Sequence, residues 1–223
     1  MFKFAAVMSA AVFAVTQATP TDAERALVPE WDQLMTAIDQ DYDMYRVETD
    51  DEWTLTLFRL TGYDLDPEKG PVFFMHGANM DAHAWVNGQS YATDWTTGTQ
   101  SLAGPSIMVQ LAQAGYDVWM GNNRGSKYSN ENSRWPNADN PAAADYLEQN
   151  KGKYNTDWFD MGKYDLPAFI DQVLEVSDAD KLKYIGYSTG TAELMYGLSQ
   201  EEESYFADKI ERAIFLAPCV YYK

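Results

Sequence analysis

The chain has 223 residues, 46% of them hydrophobic and 14% aromatic, which suits one globular domain with a sizeable core. Sixteen basic residues against 34 acidic ones give a net charge of −18, which argues against nucleic acid and anionic membrane surfaces as partners. The single cysteine, Cys219, allows no internal disulfide, and there is no Asn-x-Ser/Thr sequon.

In chain order, a targeting segment comes first. Lys3 supplies a small positive region, and Phe4 to Val15 is an apolar run interrupted only by Ser9. Thr16-Gln17-Ala18 then offers small residues spaced for cleavage after Ala18. Residues 1–18 therefore read as a signal peptide and 19–223 as the folded domain, secreted or delivered to a lysosome-like compartment. The run is too short to span a bilayer, and no later stretch reaches the roughly 18 apolar residues a span needs.

Residues 20–41 are polar and helical in part. Met44–Glu48 and the alternating Trp53–Leu60 predict two strands, joined as a hairpin through a solvated turn at Asp50-Asp51. Pro71–Met75 is a continuous apolar run ending at His76-Gly77, which suits a strand buried on both faces. Ile107–Ala114 has helical spacing, and Tyr116–Met120 is another buried strand, followed by Arg124 as an anchor for the next loop. Residues 125–156 are loop-like. Leu166–Val176 is an amphipathic helix that Asp165 can cap, with Pro167 tolerated in its first turn. A strand over 181–185, a helix from Thr191 to about Ser199 and a strand from Ile210 to Val220 complete the series. Buried strands alternating with helices predict an α/β fold, a mostly parallel sheet with helices on both faces.

Between the strand at 181–185 and the following helix stands Gly186-Tyr187-Ser188-Thr189-Gly190, a Gly-x-Ser-x-Gly in the context a nucleophile elbow needs. A sharp strand-to-helix turn presents the serine hydroxyl at the carboxyl end of the sheet, where the helix amino terminus favours developing negative charge. Ser188 is the candidate nucleophile. The oxyanion donors fall to the backbone amides of Thr189, the residue after the nucleophile, and Ala78, in the loop after an earlier strand where Gly77 permits a tight turn. A base is harder to find. The only histidines, His76 and His83, lie far upstream of Ser188, and His76 flanks the oxyanion loop rather than facing the hydroxyl. The triad acid and histidine thus read as absent from this chain. Trp85, Trp119 and Tyr187 are candidates to line an acyl pocket. No spacing suits a metal, and no cofactor is implied.

From about Tyr42 to Tyr222 the sequence resembles the acid lipase family, which includes gastric and lysosomal acid lipases. The resemblance is carried by Gly115-Tyr116-Asp117-Val118-Trp119-Met120-Gly121-Asn122-Asn123-Arg124-Gly125 and by Met161-Gly162-Lys163-Tyr164-Asp165-Leu166-Pro167-Ala168. His76-Gly77-Ala78 with Trp85, the serine elbow, and Phe215-Leu216-Ala217-Pro218 fit in the same order. The resemblance implies an α/β-hydrolase fold and serine-dependent hydrolysis of neutral lipid esters, triacylglycerols or sterol esters. It places Ser188 on the nucleophile and the Ala78 and Thr189 amides on the oxyanion hole. Tyr187 stands where these lipases usually carry histidine, and an insertion over Tyr91–Gly104 lengthens the loop after His83. The family's cap and last strands, with acid and base, have no counterpart, so the domain reads as truncated. The alternative is a non-catalytic homologue that binds lipid or a partner. Truncation would leave the strand carrying Ile214, Phe215 and Leu216 as an exposed apolar edge suited to self-association.

Overall fold

A computed structural model describes residues 19–86, 91–94, 99–102, 106–133, 157–200 and 203–219, with the backbone alone at 91–94, 99–102 and Glu203. The expected signal peptide lies outside these residues, as do 134–156 of the expected loop and the end of the last strand.

The polar segment after residue 20 forms two short helices, α1 (Asp22–Arg25) and α2 (Pro29–Ala37). Thr21 and Glu24 cap α1 reciprocally, and Pro29 opens α2, where its missing N–H is not needed. The hairpin follows as β1 (Asp41–Glu48) and β2 (Trp53–Thr61), antiparallel, with Glu48 opposite Thr54. Glu52, at φ 73°, closes its turn. β3 (Pro71–Met75) is buried along its whole length, as its unbroken apolar run predicts.

Next come α3 (His83–Val86) and a separate antiparallel pair, β4 (Tyr91–Asp94) with β5 (Thr99–Leu102). The insertion expected to lengthen a loop thus holds a hairpin of its own. α4 (Ile107–Gln113), β6 (Asp117–Asn122) and the two-residue β7 (Glu131–Asn132) follow. Beyond the undescribed stretch, α5 (Trp158–Asp160) runs through a π-helical turn, Met161–Asp165, into α6 (Leu166–Ser177). β8 (Leu182–Tyr187), α7 (Thr189–Ser199), α8 (Glu203–Lys209) and β9 (Ile210–Leu216) complete the described chain.

The main sheet has the order β1-β2-β6-β3-β8-β9, with β7 paired to β2. Strands β6, β3, β8 and β9 are mutually parallel, and the β1–β2 hairpin joins them antiparallel. Alternate residues of each central strand enter opposite cores. Val72 and Phe74 pack with Trp31, Met35, Met108 and Val109 from α2 and α4 on one face. Phe73 and Met75 pack with Phe169, Ile170, Leu194 and Phe206 from α6, α7 and α8 on the other. Helices therefore cover both faces of a largely parallel sheet, as expected. At the sheet's end, among the described residues, β9 pairs only with β8, and Ile214 and Leu216 are 45% and 38% exposed.

Candidate active site

β8 ends at Tyr187, and α7 begins at Thr189, so Ser188 alone makes the turn from strand to helix. Its backbone sits at φ 51°, ψ −114°, a region that costs a non-glycine residue about 1–3 kcal/mol and persists only where the surroundings enforce it. They do so from both sides. The Ser188 amide donates to the Leu216 carbonyl at 3.0 Å, while its own carbonyl accepts from the Thr191 amide at 2.9 Å and the Thr191 hydroxyl at 2.6 Å. A Cβ on Gly190 would lie 2.7 Å from the Met75 carbonyl oxygen, so only glycine lets α7 come down onto β3. A Cβ on Gly77 would lie 3.1 Å from the Ser188 Cβ, which brings the loop after β3 hard against the elbow.

A cleft of about 260 Å³ opens beside this turn. Both expected oxyanion residues, Ala78 and Thr189, line it, together with Met80, Asn123, Trp158 and Met161. Ser188 is half-buried and not itself a lining residue, though its neighbour Thr189 is, and its Oγ lies 3.6 Å from the Sγ of Cys219, which also lines the cleft.

Both histidines have partners other than Ser188. His76 is buried, its Nδ1 donates to the Gly77 carbonyl at 2.8 Å, and its Nε2 accepts from the Asn123 amide at 3.1 Å. Burial pushes its pKa down, so the ring is neutral with its one lone pair already used. His83 pairs with Asp81 at 2.8 Å and stacks on Tyr128. Among the described residues, no group of three or more His, Cys, Asp or Glu side chains could hold a metal ion.

Residues 70–220 match the family described as alpha/beta hydrolase fold, and residues 32–89 match a second family, described as partial alpha/beta-hydrolase lipase region. The chain belongs to the alpha/beta-hydrolase family. It is 35% identical over 179 residues to Lipase lipl-3 of Caenorhabditis elegans, covering 78% of this chain and 38% of that protein. Lipase 3 of Drosophila melanogaster is 35% identical over 193 residues, covering 82% and 41%. The lysosomal acid lipase/cholesteryl ester hydrolase of Macaca fascicularis is 34% identical over 181 residues, covering 79% and 39%. The chain thus spans about two fifths of the length of these relatives. An esterase of Pyrococcus furiosus shares the fold, with a TM-score of 0.51 at 17% identity over 84% of this chain and 55% of that one.

In this alpha/beta hydrolase, several side chains have other work than their sequence context suggests. Asp165 does not cap α6; it is fully buried and accepts from Arg124 through the backbone amide at 2.9 Å and Nε at 2.7 Å. Asp51 is not a solvated turn carboxylate either, since it accepts from Arg124 Nη1 at 2.6 Å and Nη2 at 2.8 Å. Arg124 does anchor its loop, and these two partners are how. Trp119 is fully buried beneath the Arg59 guanidinium, Trp85 packs on Phe74, and Tyr187 packs on Trp85. None of these three aromatics lines the cleft. Trp158 and Met161 do; Met161 opens the segment that carries the family resemblance, and Trp158 lies three residues before it without a signal of its own.

Proposed function

We propose that this chain carries the nucleophile half of a serine-dependent carboxylic ester hydrolase acting on neutral lipid esters, triacylglycerols or sterol esters. The observation that carries the reading is Ser188, held at φ 51° between β8 and α7 with the Gly77-Ala78 loop pressed against it. In this reading Ser188 is the nucleophile and the Ala78 and Thr189 amides receive the oxyanion. Similarity to lipases from three animals, one of them a lysosomal acid lipase/cholesteryl ester hydrolase, supports lipid esters as substrate and a secreted or lysosomal setting. With both histidines engaged elsewhere, this reading needs a base other than His76 or His83. That same observation favours the second reading, a homologue that binds lipid or a partner without turnover.

Fluorophosphonate labelling separates the two. A longer chain that supplies the acid and histidine should be labelled at Ser188 and hydrolyse a short-chain nitrophenyl ester, while the 223 residues alone should resist labelling, because an unactivated serine stays protonated. Labelling of neither would favour binding without turnover. Rapid labelling of the short chain would mean that a base lies within it.

We propose that residues 1–18 are a signal peptide and that the folded domain begins at residue 19. Its β9 edge is proposed as a self-association surface, since one side of the strand has no partner among the described residues and Ile214 and Leu216 are exposed beside it. Ile214→Lys should lower the concentration-dependent mass measured by light scattering. It should change unfolding free energy by no more than about 0.5 kcal/mol, as for other surface substitutions. A wild-type chain that stays monomeric at every concentration would refute this surface.

A further inference from the structure

Two buried polar atoms face the same problem next to the cleft. Glu193, on α7, is 0% exposed, and its Oε1 accepts from the Asn123 Nδ2 at 2.6 Å. Its other oxygen, Oε2, has no partner among the described residues, and neither has the Asn123 Oδ1. An ionised Glu193 would leave both as buried acceptors without a donor, and would bury a charge satisfied by one hydrogen bond. A protonated Glu193 resolves both at once: its Oε2–H donates to the Asn123 Oδ1 while Oε1 keeps the Nδ2 bond, closing a two-bond ring between acid and amide.

We propose that Glu193 stands in the folded protein as a neutral carboxylic acid, ring-paired with the Asn123 carboxamide, and acts as a positioning residue for the loop that borders the serine elbow. Its surroundings agree. The ionisable groups bearing on it are Asp165, across from it in the π-helical turn, which disfavours a second negative charge, and Tyr184, from β8, whose hydroxyl already donates to the Gly190 carbonyl at 2.5 Å. Arg124 is committed to Asp165 and Asp51. Burial, then Asp165, push the Glu193 carboxyl well above its ordinary range. From the pair, contacts run through the Asn123 amide to His76 Nε2 and from His76 Nδ1 to the Gly77 carbonyl, one residue before Ala78. That last step alone rests on the hydrolase reading; the protonation state does not.

A raised carboxyl pKa costs stability as pH rises, because the unfolded chain gives up a proton that the folded chain keeps. The loss starts above about pH 4.3, the ordinary glutamate value, and ends once Glu193 ionises in the folded state. Glutamine reproduces the ring with two amides and has no proton to lose. The test is carbon-13 NMR of the chain labelled at its glutamate carboxyls, with urea unfolding of wild type and Glu193→Gln across pH. One carboxyl should remain protonated at pH 7 and vanish in the variant, and the ratio of the two unfolding constants should widen about tenfold per pH unit within that window. Should the variant not fold, the wild-type spectrum decides alone, since Glu193 is the one buried glutamate among the described residues. Ordinary titration of every glutamate, or parallel stability profiles, would overturn the proposal, and neither depends on ester turnover.

Discussion

Ser188→Ala is expected to lower ester hydrolysis by about 10⁴-fold or more in a protein that carries this segment with its acid and base. The size follows from where the residue sits. The turn is held by bonds to the Leu216 carbonyl and from Thr191 that involve only the Ser188 backbone, so alanine leaves the elbow as it is. What disappears is the hydroxyl proposed to attack the ester carbonyl, and alanine has nothing to put in its place. Among the described residues, the side chain's one polar contact is with Cys219 at 3.6 Å, too long to contribute much to folding. Unfolding free energy should therefore stay within about 0.5 kcal/mol of wild type. Activity assayed on a short-chain ester alongside urea unfolding checks both halves. Near wild-type turnover by a folded Ser188→Ala protein would remove Ser188 from the nucleophile role.

Arg124→Met is expected to destabilise the fold by about 3–5 kcal/mol at neutral pH, the usual cost of stranding one partner of a buried ion pair. Arg124 is 1% exposed and joins three segments: its own loop after β6, the β1–β2 turn through Asp51, and the π-helical turn through Asp165. Full burial already pushes the Asp165 carboxyl up to about 6, and the guanidinium keeps it from rising further. Without Arg124 the carboxyl must take up a proton to stay buried. The sign follows from linkage: a folded-state pKa further above the unfolded one means stability lost as pH rises from about 4 through the new value. The deficit should therefore be smallest near pH 4 and largest above pH 7. Urea unfolding of both proteins at those two pH values measures it. A deficit independent of pH would mean that Asp165 is not the stranded group.

Much of the framework was legible from local pattern. The run Pro71–Met75 predicted β3 residue for residue, because a strand buried on both faces needs no alternation and tolerates no polar interruption. The elbow was legible for a related reason. A strand, a strained residue and a helix can follow each other in five residues only with glycines flanking the turn, and sequence displays glycines directly. Helix α8 was not foreseen, nor was the hairpin of β4 and β5 within the insertion.

Charge partners were the main thing hidden. Asp165 precedes a helix and so looks like a cap, yet its carboxylate belongs to Arg124, 41 residues away, and Asp51 meets the same arginine across 73. Glu193 sits on a helix whose sequence marks it as an ordinary polar position, and only the approach of Asn123 makes its protonation a question. His76 could be doubted as a base from its place in the chain; that its Nε2 accepts from the Asn123 amide is visible only in three dimensions. By itself, then, the sequence determined what nearest neighbours control: the central buried strands with the helices between them, and the residue at the turn between β8 and α7. The tertiary structure alone decided which carboxylates meet a cation, which meets an amide, and which side chains line the cleft. Those choices are made by through-space contacts in a dry interior, where an unpartnered charge is costly and chain separation counts for nothing.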